Sequence, residues 1–144
     1  MKKIFSKIEP NILLHIICKK NDLDILNKAE DGRMDIAPEN EFLQVAAMKM
    51  SEGQTFRPHK HIRIDRKTTI TQESWVIING SVKTILYDLD DTIIAEEILN
   101  IGDISITFRG GHNYKILEND TLVYEYKTGP YMGQKLDKTF IEND

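Results

Sequence analysis

From residue 41 onward the chain divides into eight short runs: EFLQVAAMKM, GQTFRPHKH, ESWVII, SVKTILYD, TIIAEEIL, DISITF, YKIL and TLVYEYK. Each is bounded by Gly, Asn, Asp or Pro. Closely spaced strands with turn residues between them mark an all-β sandwich or barrel. About eight of them in about 100 residues fit a jelly-roll barrel. Asn79-Gly80, between WVII and SVKTILYD, is the clearest turn and predicts a hairpin, because both residues tolerate φ > 0. Further reversals are expected at Asp88 to Thr92, at Arg109-Gly110-Gly111 and at Glu118-Asn119-Asp120. The aspartates of DLDDT lack the loop and terminal glutamate of an EF-hand, so they read as an acidic turn.

The first forty residues follow no such rule. Asn11 to Cys18 fits a short helix opened by Pro10 or a strand, and the pattern does not decide. The polar stretch NDLDILNKAEDGRMDIAPEN reads as loop. The expected organisation is a loop-rich N-terminal extension over 1–40 and one β domain over 41–144. A chain of 144 residues holds one core. Its net charge of -4 argues against general nucleic-acid binding, which needs a basic footprint. The single cysteine, Cys18, excludes an internal disulfide framework and reads as a buried small hydrophobe. The N-terminal run ILLHIIC is short, contains His15, and is followed by no small-residue cleavage site. Nothing approaches a membrane span, so a cytoplasmic protein is expected.

The chemistry concentrates in GQTFRPHKH. Pro58 pushes its predecessor toward extended geometry, and in a strand residues i and i+2 share a face. His59 and His61 are therefore expected to face one space. Glu73 opens the run ESWVII, and His112 follows the Gly110-Gly111 turn. Three imidazoles and a carboxylate converging inside a barrel suit a divalent transition metal such as Fe, Mn, Ni or Zn. The alternative for Glu73 is to orient a histidine ring. His15, alone in an apolar run, reads as structural.

The order Gly53, His59, His61, Glu73 and Gly80 resembles the first motif of the cupin superfamily. That motif runs Gly, five residues, His-x-His, a gap, Glu, six residues, Gly. Here the gap is lengthened to the eleven residues IRIDRKTTITQ. FRGGHN resembles a reduced form of the second motif, keeping the glycine turn and His112. The likeness covers about residues 41–127. LVYEYKTGPYMGQKLDKTFI is similar to the small WbuC-type cupin metalloproteins, which are linked to bacterial surface-polysaccharide synthesis. The resemblance implies an RmlC-like jelly roll, a double-stranded β-helix, with a metal at His59, His61, Glu73 and His112.

RPHKHIRIDRK holds Arg57, Lys60, Arg63, Arg66 and Lys67 against Asp65 alone. Arg57 shares the strand face of His59, where a guanidinium favours a carboxylate or phosphate. Tyr131, after Gly129-Pro130, is a second candidate for ligand binding. In LVYEYK, Glu125 and Lys127 are expected outside the barrel, because burying unpaired charge is costly. Three functions follow: a metal-dependent enzyme acting on a small, anionic, sugar-type metabolite; a binding module without turnover; or a metal-free nucleotide-sugar isomerase or epimerase. A homodimer is expected, pairing through strands or the N-terminal segment.

Overall fold

β1 (Lys2–Phe5) and β2 (Leu13–Cys18) open a computed structural model that describes residues 1–27 and 32–142. A 3-10 segment, Lys20–Asn27, follows them, then β3 (Arg33–Asp35) and β4 (Ala46–Met48). After a long strandless stretch come β5 (Glu73–Asn79), β6 (Val82–Tyr87), β7 (Ile93–Leu99), β8 (Ile104–Thr107), β9 (His112–Ile116) and β10 (Leu122–Lys127). One helical turn, α1 (Gln134–Asp137), lies in the C-terminal segment. The all-β expectation is met. Among the described residues the strands form a five-stranded sheet in the order β1-β2-β8-β5-β10, a three-stranded sheet β7-β6-β9, and the pair β3-β4. All pairings are antiparallel, and the sheets do not close into a barrel.

The core follows from strand alternation. Ile4, Ile17 and Ile77 point inward from the larger sheet and meet Val82, Leu86 and Leu99 of the smaller one. On the far face of the larger sheet, Ile16, Cys18 and Ile106 pack under Ile36, Ala37 and Phe108, with Met34 and Ala47 of β3 and β4 against them. β2 is thus covered on both faces, and Leu14 through Cys18 are all buried. A strand buried on both sides loses its apolar-polar alternation, which is why Asn11 to Cys18 was undecided between helix and strand. Residues assigned to an N-terminal extension supply two strands of the main sheet.

Asn79-Gly80 makes no hairpin. Both edges of β5 are already taken, by β8 and β10, so β6 has no edge to pair with and crosses to the other sheet. Gly80 turns the corner at φ 76°, where a Cβ would stand 2.3 Å from Thr121 Oγ1. The Asp88–Thr92 reversal does form a hairpin, joining β6 to β7 with Asp91 at φ 66°. Asp88 itself is buried and accepts from the Ser6 hydroxyl at 2.5 Å and from the amides of Lys7 and Leu89 at 2.7 Å each. Burial opposes ionisation of this carboxyl, and those donors outweigh it and hold its pKa below the ordinary range. The acidic turn is a structural clamp.

Two further expectations change. GQTFRPHKH is not a strand: every residue from Lys49 to Ile70 is exposed, and among the described residues no strand pairs with the stretch. Pro58 removes one amide that a ladder would use. Glu125 and Lys127 do not lie outside. The register sets Glu125 opposite Trp75 and Lys127 opposite Glu73, on the face that looks across to the smaller sheet. β10 is an edge strand, so these charges reach water from the inner face without full burial, and the carboxylates around Lys127 offset the desolvation that argued against them. No helix among the described residues is long and apolar enough to cross a membrane.

Candidate site at the mouth between the sheets

β9 and β10 are edge strands on the side of the core where Trp75 of β5 meets Tyr114 of β9, and this side is the mouth of the candidate site. Residues 122–127 make backbone hydrogen bonds only to β5, and residues 112–116 only to β6, among the described residues. Glu73, the first residue of β5, faces inward there, and so does His112, the first residue of β9. Gly110, at φ 74°, and Gly111 deliver the chain to His112. A Cβ at Gly111 would stand 2.2 Å from Ile141 Cδ1, so the C-terminal segment crosses back to this turn.

His112 Nε2 lies 3.2 Å from Glu73 Oε1. The same oxygen accepts from Trp75 Nε1–H at 3.0 Å. A carboxylate only accepts, so Nε2 carries the imidazole proton and Nδ1 is left with a lone pair. That Nδ1 is buried with no hydrogen-bond partner. Burial works against the charge on Glu73, but the hydrogen bonds from His112 and the Trp75 indole prevail, and the carboxyl titrates below its usual range. Trp75 and Tyr114 stack across the two sheets with centroids 3.9 Å apart and planes 10° from parallel. Tyr114 O–H donates to Ser105 Oγ at 3.3 Å, and burial pushes its phenol pKa up.

Lys127 completes the inner face. Its ammonium lies 3.5 Å from Glu125, 3.9 Å from Asp137 and 4.4 Å above the ring of Tyr131. Burial opposes its charge, and the carboxylates of Glu125, Asp137 and Glu73 more than restore it, raising the pKa. Deeper in, His15 is fully buried. Tyr87 O accepts from its Nε2–H at 3.0 Å, and its Nδ1 accepts from Thr107 Oγ1 at 3.0 Å. This ring is a satisfied structural group, as the sequence suggested.

The predicted residues fall into two pairs. Glu73 and His112 meet at the mouth. His59 and His61 lie on the exposed stretch, with ring centroids 5.6 Å apart and planes nearly perpendicular. The carbonyl of Arg57 accepts from His59 Nδ1 at 3.0 Å. His61 borders an open cleft of about 670 Å³ with Glu39, Glu41, Phe42 and Arg66. Glu41 there is committed to Arg109 at 2.7 Å and Gln72 at 2.6 Å. Tyr131 is 57% exposed and serves as the platform under Lys127. Among the described residues, no three His, Cys, Asp or Glu side chains are grouped to hold a metal.

Trp75, Tyr114, Glu125 and Lys127 were missed from the sequence as site residues. Trp75 was within reach, since it follows Glu73 by two and must share its face. Lys127 needed the register of β10, which alternation alone leaves open between two faces. The chain matches no family model, no curated protein and no solved structure.

Proposed function

We propose that this is a cupin-type jelly-roll protein binding a small, anionic, sugar-type metabolite at the mouth, beside a divalent transition metal. His112 carries the reading: one ring nitrogen is held on Glu73, and the other lies buried without a partner. An unsatisfied buried polar atom costs about 1–3 kcal/mol, and a bound ion or ligand atom at Nδ1 removes that cost. The donor types therefore fit a metal. Glu73 acts through the ring, fixing its tautomer as carboxylates behind ligating histidines do.

His59 and His61 are the remaining imidazoles, and they stand away from His112 in this arrangement. The open edge of β9 begins at His112. Residues 54–61 adding to that edge as a strand would carry both rings toward the mouth, with main-chain bonds supplying affinity. A metal held there would supply Lewis-acid polarisation of a carbonyl or hydroxyl, or an activated water. Lys127 meets an anionic group of the ligand, and the Trp75–Tyr114 stack gives it an apolar wall. The surface-polysaccharide setting rests on the resemblance alone.

The test is elemental mass spectrometry on tag-free protein purified without chelator, beside His112→Ala and a His59→Ala/His61→Ala variant. About one equivalent of transition metal in the parent and little in either variant is expected. Absence of metal from all three, even after reconstitution with iron, manganese, nickel and zinc, sinks the metal reading.

The Glu73–His112 bond also favours a metal-free acid-base site. With Nε2–H anchored on a carboxylate, Nδ1 is a base without a hydrogen-bond partner. Chelator-treated protein would then exchange a carbon-bound proton of a nucleotide-sugar with deuterated solvent, and His112→Gln would not. Failure of the treated parent to exchange removes this alternative.

A further inference from the structure

We propose that the Asp137 carboxylate is a resident stand-in for the ligand, and that Thr71 and Lys127 form a subsite for a carboxylate-bearing metabolite that displaces it. The inference rests on the reading that the mouth takes a small anion, and it adds which anion and what guards its place. Asp137 closes α1, and a different donor holds each of its two oxygens. The Thr71 hydroxyl donates to Oδ1 at 2.6 Å, and the Lys127 ammonium lies 3.9 Å from Oδ2. Both donors border the Glu73–His112 pair. Thr71 precedes Glu73 by two residues, and the register sets Lys127 opposite Glu73. Lys138, next along the segment, is close enough for its charge to favour the ionised form of Glu73.

Met132, Leu136 and Phe140 give the C-terminal segment no purchase on the body: they are 72%, 77% and 74% exposed, and α1 buries no residue. Past Thr128, the backbone hydrogen bonds among the described residues stay within the segment, from Leu136 to Gly133 and from Lys138 to Gln134. The Asp137 side chain turns inward instead and is only 12% exposed. A turn anchored by a carboxylate, with its large apolar side chains in water, detaches readily. One donor per oxygen suits a planar, singly charged carboxylate. Glu125 lies 3.5 Å from Lys127 and Glu73 is its neighbour in register, so a dianionic phosphate meets repulsion that one ammonium does not offset. The stand-in also sets a threshold. A subsite filled about nine-tenths of the time by a tethered group shows roughly one-tenth of its intrinsic affinity.

Calorimetric titration with D-glucuronate, on the full chain as purified and after chelation, tests the subsite. Asp137→Ala should bind about tenfold tighter than the parent. Asp137→Asn, which keeps a contact to Thr71 without the charge, should fall between them. Adding Thr71→Val or Lys127→Met to Asp137→Ala should remove the gain, with matching thermal midpoints showing that each variant is folded. Glucose 6-phosphate should bind more weakly than glucuronate, and glucose should not compete. A nitroxide on Leu136→Cys should broaden the amide signals of Thr71 and Lys127, and glucuronate should sharpen them as α1 leaves; the native Cys18 is buried and does not compete for the label. No gain in Asp137→Ala, a gain indifferent to Lys127, a preference for the phosphate, or signals that stay broad would each overturn the proposal. Glucuronate binding that survives chelation keeps the subsite even where the metal reading falls. Metal-loaded protein that ignores glucuronate in every variant sinks the subsite and leaves the metal.

Discussion

A buried histidine with both nitrogens satisfied makes the protein sensitive to mild acid. Desolvation is the main cause that lowers the His15 pKa from 6.5 to about 4, with the Tyr87 carbonyl pulling the other way. The unfolded chain therefore binds a proton that the folded chain refuses between those values. Stability is complete above pH 6.5 and falls by about 3 kcal/mol as the pH drops to about 4. Urea midpoints measured across that range should show the fall, and His15→Gln should flatten it. Glu73 and Asp88, held below their ordinary range, add their own losses only at lower pH. Asp88→Ala, which strands the Ser6 hydroxyl and two amides, should cost about 3 kcal/mol in the same assay. His15 and Asp88 were readable from their neighbours, an apolar run and a turn. His112 was readable as a candidate, but its bond to Glu73 was not, because that contact joins residues from two sheets whose packing no local pattern encodes.

Elements divide into those whose register is enforced by burial and one that burial does not touch. Gly80 belongs to the first group: Gly80→Ala forces a side chain into a left-handed backbone against Thr121, and about 2 kcal/mol of stability should be lost in thermal unfolding. The stretch from Lys49 to Ile70 belongs to the second. Trypsin should cut first at Lys60, Arg63, Arg66 or Lys67, leaving both flanking fragments intact. If the metal reading holds, zinc or iron should slow those cuts. Cleavage that starts in β1 or β2 would contradict the described packing. The same division explains what could be read in advance. Strands β5 to β10 were legible because turn residues separate them, and β4 lies inside its predicted run. The corner at Asn79-Gly80 was misread as a hairpin because a turn motif reports local chain reversal, not which sheet edge remains available. GQTFRPHKH was expected as a strand from its spacing, but a strand needs a neighbour, and here none is within pairing distance.

At the scale of the molecule, both sheets share one core with the N-terminal strands inside it, so unfolding should be a single transition. Emission of Trp75, the one tryptophan, and far-UV circular dichroism should lose signal together in urea. Separated transitions would show that β1 and β2 leave first, as a true extension would. Residues 49–70 carry six basic and two acidic side chains, +4, which leaves -8 on the remainder of a chain whose total is -4. The exposed stretch is thus a polycation tethered at both ends to an acidic particle. Ions in solution screen that attraction beyond about 10 Å at 0.1 M salt. The protein carries its own counterion on a leash, and the ionic strength of its surroundings sets how far out that leash is paid.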